Sequence, residues 1–192
     1  MSIPQREFER LTQKAADCTT CPNMVEQSAV LGPGNGSIDS EILFVAEAPG
    51  RFGGARTGIP FSGDRSGDNF ETLIAYIGLT RQDIFVTNAV LCNPLHNGNN
   101  RRPTVKEIGN CSPYLQTVLE LMRPKVVVTL GGVGLEAINR ILGTRYKLAD
   151  VIGKPQKTKN FTLLALYHPS PRVTNWKRPL SVQKRDFKKI LK

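Results

Sequence analysis

A chain of 192 residues is long enough for one well-packed core and short for two, so residues 1–192 are expected to form a single domain. A hydrophobic content of 40% argues against disorder, and no apolar run approaches the length of a membrane span. With 26 Lys and Arg against 16 Asp and Glu, the formal charge of +10 points to an anionic partner, nucleic acid first.

The opening residues, MSIPQREFERL, lack the apolar core of a signal peptide, so an intracellular location is expected. Pro4 to Ala16 reads as a helix, with Phe8 and Leu11 three apart and Ala15 four further on. Glu41–Ala48 is the first strand. It runs into a Gly- and Pro-rich loop, Glu47-Ala-Pro-Gly50 followed by Thr57-Gly-Ile-Pro-Phe-Ser-Gly-Asp64, of the kind that lets backbone approach a ligand. Ser66 to Ile77 reads as a helix with Phe70, Leu73, Ile74 and Ile77 on one face. Asp83–Val90 is the second strand. Pro103 to Met122 is helical, with Pro where a missing N–H is harmless at its start, and with Pro113 inside, where a kink or split is expected. Lys125–Gly131 is a continuous apolar strand, followed by a helix over Gly132–Leu142. Phe161–His168 is the fourth strand, and a basic helix from Leu180 closes the chain. Positive charge gathers at Arg101–Arg102, Lys154–Lys159, Arg172–Arg178 and Lys184–Lys192.

Strands that alternate with helices predict an α/β fold, a three-layer α/β/α sandwich with a central, mainly parallel four-stranded sheet. In such a sheet the carboxyl ends of the strands lie side by side. Glu47, Asn88 and His168 should then converge on one crevice, together with Phe61 and Asp64.

The four cysteines are Cys18, Cys21, Cys92 and Cys111. The pair Cys18-Thr-Thr-Cys21 follows a helix and precedes a loop, which ranks a metal site above a redox disulfide. Four thiolates of an intracellular chain suggest one four-coordinate structural site, and spacing leaves zinc and an iron–sulfur cluster both open.

On these residues the chain resembles the uracil-DNA glycosylase superfamily, specifically its iron–sulfur branches, family four and family five. The shared motifs, in order, are the Cys-x-x-Cys after an N-terminal helix, the strand ending in E-A-P-G, G-I-P-F-S-G, T-N-A-V-L-C-N-P, the later Cys111-Ser-Pro-Tyr-Leu, R-P-K-V-V-V-T-L-G, and His168-Pro-Ser170. Glu47 in E-A-P-G matches family four. R-T-G-I-P-F-S-G-D-R-S-G, with Asp64 after the turn, matches family five. The loop from His96 to Arg102 is longer than the family-four pattern.

The resemblance implies a [4Fe–4S] cluster on Cys18, Cys21, Cys92 and Cys111, ahead of zinc. It implies a monomeric DNA-repair enzyme of prokaryotic type, cytoplasmic and associated with the nucleoid, that acts on uracil or other deaminated bases in DNA. Phe61 would stack the flipped base and Asn88 would read its edge with one donor and one acceptor. His168 would donate to the base as negative charge develops. Glu47 or Asp64 would orient water and stabilise the positive sugar, with the family-five match putting Asp64 slightly ahead. Gly50, Gly63 and Ser66 would offer N–H or hydroxyl groups to base or phosphate, and the loop of Pro169, Ser170, Pro171 and Arg172 would press into the duplex. His96 has no assigned role. The absence of a lysine suited to a Schiff base implies a monofunctional glycosylase that leaves an abasic site. Three other readings stay open: a glycosylase acting chiefly on hypoxanthine or xanthine, an inactive or covalently trapping uracil-DNA-binding protein of the same fold, and a zinc-stapled RNA-binding domain.

Overall fold

The structure is a computed structural model that describes residues 3–24 and 26–191. Met1 and Ser2 of the opening stretch and Lys192 of the last basic cluster lie outside the described residues.

The helices are α1 (Ile3–Ala16), α2 (Gly54–Thr57), α3 (Arg65–Tyr76), α4 (Val105–Met122), α5 (Gly132–Leu142), α6 (Leu148–Val151), α7 (Pro171–Trp176) and α8 (Leu180–Phe187). The strands are β1 (Ile42–Ala46), β2 (Ile84–Asn88), β3 (Leu95–His96), β4 (Asn99–Asn100), β5 (Val126–Leu130), β6 (Gln156–Lys157) and β7 (Thr162–Leu166). Among the described residues no helix is long and apolar enough to cross a membrane.

The main sheet has the order β2-β1-β5-β7-β6 and five strands rather than the expected four. The four expected strands are all parallel to one another. The fifth, β6, is a two-residue antiparallel edge beside β7, with Gln156 opposite Leu163 and Lys157 opposite Thr162. Two residues carry no alternation that could announce a strand, and a lysine on such an edge discourages further pairing.

Alternate residues of each strand face opposite sides. Leu43, Val45, Phe85, Val127, Leu163 and Ala165 pack with Phe8, Leu11, Ile108, Val118 and Leu135, which come from α1, α4 and α5. Phe44, Ala46, Ile84, Val86, Val128 and Leu164 pack with Phe70, Leu73 and Phe187 from α3 and α8. The result is the expected three-layer α/β/α sandwich. One close approach helps position the strand ends: a Cβ at Gly134 would lie 2.3 Å from the Val45 carbonyl oxygen, so only glycine lets α5 sit this tightly on β1.

The start of α4 differs by two residues from its expected position at Pro103, because Thr104 caps it. The Thr104 hydroxyl accepts from the Glu107 N–H while the Glu107 carboxylate accepts from the Thr104 N–H. Pro113 does not split the helix, which runs from Val105 to Met122. A two-stranded hairpin of β3 and β4, and the short helices α2, α6 and α7, had no counterpart in the sequence pattern.

Candidate active site

Strand β1 lies between β2 and β5, so the chain leaves it toward one side for β2 and crosses to the other for β5. A crevice opens outside the strand ends at such a reversal. Here it is a cavity of about 550 Å³, with Glu47, Gly50, Phe61, Asp64, Ser66, Asn88, His168, Ser170 and Arg172 all in its wall. Of the expected residues, Pro169 and Pro171 are absent from this wall, and so is Gly63. Gly63 lines a neighbouring hollow with Gly34, Ile59 and Arg81.

Asn88 ends β2, opposite Ala46 of β1. It is 4% exposed, and its Nδ2 has no hydrogen-bond partner. A buried amide donor left unpaired costs about 1–3 kcal/mol, so it is a feature that needs a ligand or a function to account for it.

Phe61 has a φ of 52°, a left-handed backbone that costs a side-chain-bearing residue about 1–2 kcal/mol. Its carbonyl accepts from Arg81 Nη2 at 2.8 Å, and its ring stacks on Phe70 with centroids 4.6 Å apart and planes at 16°. The His168 ring lies 5.3 Å from that of Phe61. Burial pushes the His168 imidazole down to about 4, against an opposing pull from the Asp64 carboxylate, so the ring is neutral at neutral pH.

The two carboxylates have different surroundings. Asp64 is the N-cap of α3, its Oδ1 accepting from the Gly67 N–H at 2.9 Å. Its Oδ2 lies over the Gly-rich loop, where a Cβ at Gly53 would come within 2.3 Å of it. Glu47 is half-buried, and its carboxylate makes no hydrogen bond or ion pair among the described residues. Burial raises its carboxyl above the usual range, and the charge of Arg102 only partly offsets this.

Several residues of the wall were not anticipated. Asn93, 1% exposed, donates from Nδ2 to the Pro49 carbonyl and to Asn100 Oδ1, the latter at 3.1 Å. Asn100 Oδ1 also accepts from the Arg51 N–H at 3.1 Å, and Arg51 Nη1 donates to the Gly98 carbonyl. The hairpin thus clasps the loop that follows Glu47. Arg101, Tyr167 and Lys177 also line the cavity. Asn93 stands in the motif T-N-A-V-L-C-N-P, yet nothing in its spacing marks it as buried.

The four cysteines are free and partly buried. Cys18 follows α1, Cys92 follows β2 and Cys111 is on α4. Burial, with the charges of Cys18 and Cys21, pushes the Cys92 thiol up to about 11. Cys111 is pushed up to about 12, chiefly by burial and further by the other three thiols. For Cys18, burial is outweighed by hydrogen bonds with Thr20 and Tyr114 and by the charge of Lys14, and its thiol titrates below the usual range. Asn110 Nδ2 donates to Cys21 Sγ at 3.3 Å. Cys92 and Cys111 thus feel the charges of neighbouring thiols, although among the described residues no three His, Cys, Asp or Glu side chains form a group that could hold a metal ion.

A family model described as the uracil DNA glycosylase superfamily matches residues 33–192 of the chain. The chain is similar to a type-5 uracil-DNA glycosylase of Pyrobaculum aerophilum, with 29% identity over 90% of this chain and 86% of the relative. It is similar to a type-4 uracil-DNA glycosylase of Sulfurisphaera tokodaii, with 32% identity over 95% of this chain and 83% of the relative. A third relative, a type-4 uracil-DNA glycosylase of Archaeoglobus fulgidus, is 36% identical over 82% of this chain and 79% of its own length.

Proposed function

Because the chain belongs to the uracil DNA glycosylase superfamily, we propose that it excises uracil from DNA in base-excision repair, as one domain that leaves an abasic site. It is a hydrolase of N-glycosyl bonds. The observation that carries the substrate assignment is the buried, unpartnered amide of Asn88 in a cavity floored by Phe61.

The target nucleotide must leave the base stack to reach this cavity. Phe61 would stack the base, and Asn88 would meet uracil's O4 and N3–H with one donor and one acceptor. As the bond between N1 and the sugar carbon breaks, its electron pair passes to the base. The neutral His168 ring would donate an N–H to O2, where that charge collects; removing such a donor typically costs ~10²–10³ in rate.

Water then adds to the sugar carbon and loses a proton. We assign that proton to Glu47, in place of the slight preference that the motif gave Asp64. Supporting this are the raised carboxyl of Glu47 and its lack of competing partners. Asp64 already uses one oxygen to cap α3, and its charge would help stabilise the positive sugar. Gly50, Ser66, Ser170 and Arg172 would hold base and phosphates, and Gly63 would act only through the bend of the loop.

Cys18, Cys21, Cys92 and Cys111 fit a [4Fe–4S] cluster by their donor chemistry, four free thiols with an N–H directed at one sulfur. When bound it would supply a structural cross-link between α1, the segment after β2 and α4, with no part in the hydrolysis.

The test is a uracil-containing oligonucleotide treated with the protein and then with alkali. Strand breaks at uracil under turnover are expected, together with their loss in Asn88→Ala. A heat-stable shifted band without turnover would overturn the enzymatic reading in favour of a trapping protein. Excision of hypoxanthine with uracil left intact would overturn the substrate.

A further inference from the structure

We propose that Trp176 is a stacking platform for the nucleobase next to the excised one, on the lip of the cavity. This rests on the reading of the protein as a DNA glycosylase.

Trp176 is the chain's one tryptophan. At 87% exposure it is the most exposed large apolar side chain among the described residues. It ends α7, a helix of six residues with none buried. Ser170, the N-cap of that helix, lines the cavity, and so do Arg172, Val173 and Lys177. Side chains four apart share a helix face. Trp176 therefore stands beside Arg172, one turn outward from the cavity wall.

A solitary exposed apolar residue is ordinary on a protein surface. The charge around this one is not. No Asp or Glu occurs between Asp150 and Asp186, while that stretch carries eight Lys and Arg. Arg172 makes no ion pair among the described residues, and Lys177 has its Nζ 5.5 Å from the centroid of the Tyr167 ring. Cations without a carboxylate partner beside an indole match the two surfaces a DNA strand offers together, its phosphates and the faces of its bases. With one base drawn into the cavity, a neighbour on the same strand has lost a stacking partner, and the indole is placed to replace it.

The emission of the single tryptophan reports directly on this contact. The full-length protein is titrated with a single-stranded oligonucleotide carrying a tetrahydrofuran abasic analogue, flanked either by normal bases or by further abasic units. Emission should be quenched by the first and unchanged by the second. In uracil-excision assays Trp176→Ala should lower kcat/KM about tenfold, the size of one base–aromatic stack, while Trp176→Phe retains most of it. Equal emission changes with both oligonucleotides, or wild-type kcat/KM in Trp176→Ala, would overturn the proposal. Failure of the glycosylase reading looks different: flank-dependent quenching by a wild-type protein that releases no uracil would keep the stack and remove the chemistry.

Discussion

Two carboxylates face the same cavity with unequal freedom, and that difference can be titrated. Glu47→Gln should slow single-turnover excision by ~10²-fold or more, the usual size of a general-base contribution, and should erase the acid limb of the pH–rate profile. Because burial raises the Glu47 carboxyl, the wild-type limb should lie above the ordinary glutamate range. Asp64→Asn should fall less, since asparagine caps a helix about as well as aspartate. His168 does not set this limb, being neutral down to about pH 4. Its folded pKa lies below the unfolded value of 6.5, so the unfolded chain binds the proton first. Stability should therefore decline as pH falls from 6.5 toward 4, and urea midpoints across that range would record it. Glu47, Asn88 and His168 were legible in the sequence because each sits at or just beyond the end of a recognisable strand, and parallel strands bring such ends together. Asn93 was not. Its burial depends on Pro49 and Asn100, which reach it only in the folded chain.

Helix α4 shows how one element joins stability to the site. Its Thr104–Glu107 capping box is held by Arg101, which bonds both oxygens of Glu107 at 2.8 and 2.5 Å and itself lines the cavity. The Arg101 hydrogen bond is the main reason that the Glu107 carboxyl is drawn down to about 2. The stabilisation from this pair is thus present above pH 4.5 and lost as pH falls toward 2. Thr104→Ala should cost about 1 kcal/mol in chemical denaturation. Glu107→Gln should cost about 2 kcal/mol, because it weakens a charged hydrogen bond and loosens Arg101 as well. The long helices were readable because their apolar positions recur every three or four residues. The hairpin Leu95–Asn100, the edge strand β6 and the six-residue α7 were not, since elements this short show no period and owe their shape to neighbours.

At the scale of the whole molecule, a group of cations gathers at the face where the strands end. Arg51, Arg101, Arg102, Arg172 and Lys177 all belong to the loops or helices around the cavity. Binding to uracil-containing DNA should weaken linearly in log K against log salt, and Arg172→Ala and Lys177→Ala should each reduce the slope by about 1. The basic composition announced a polyanion, and the strand–helix alternation announced the layers. Neither could say that the cationic loops and the strand ends lie on one side, which follows from the order of the strands. One stack of rings crosses that boundary. Arg81 lies 5.1 Å from the centroid of the Phe70 ring, Phe70 supports Phe61, and Phe70 also packs edge-on against Phe44 in the middle of the sheet. A base resting on Phe61 would thus be the outermost layer of the hydrophobic core rather than a visitor to its surface. A substitution at Phe44 or Phe70, chosen only for packing, would then retune affinity for a damaged base without touching it, so folding and recognition would evolve on shared atoms.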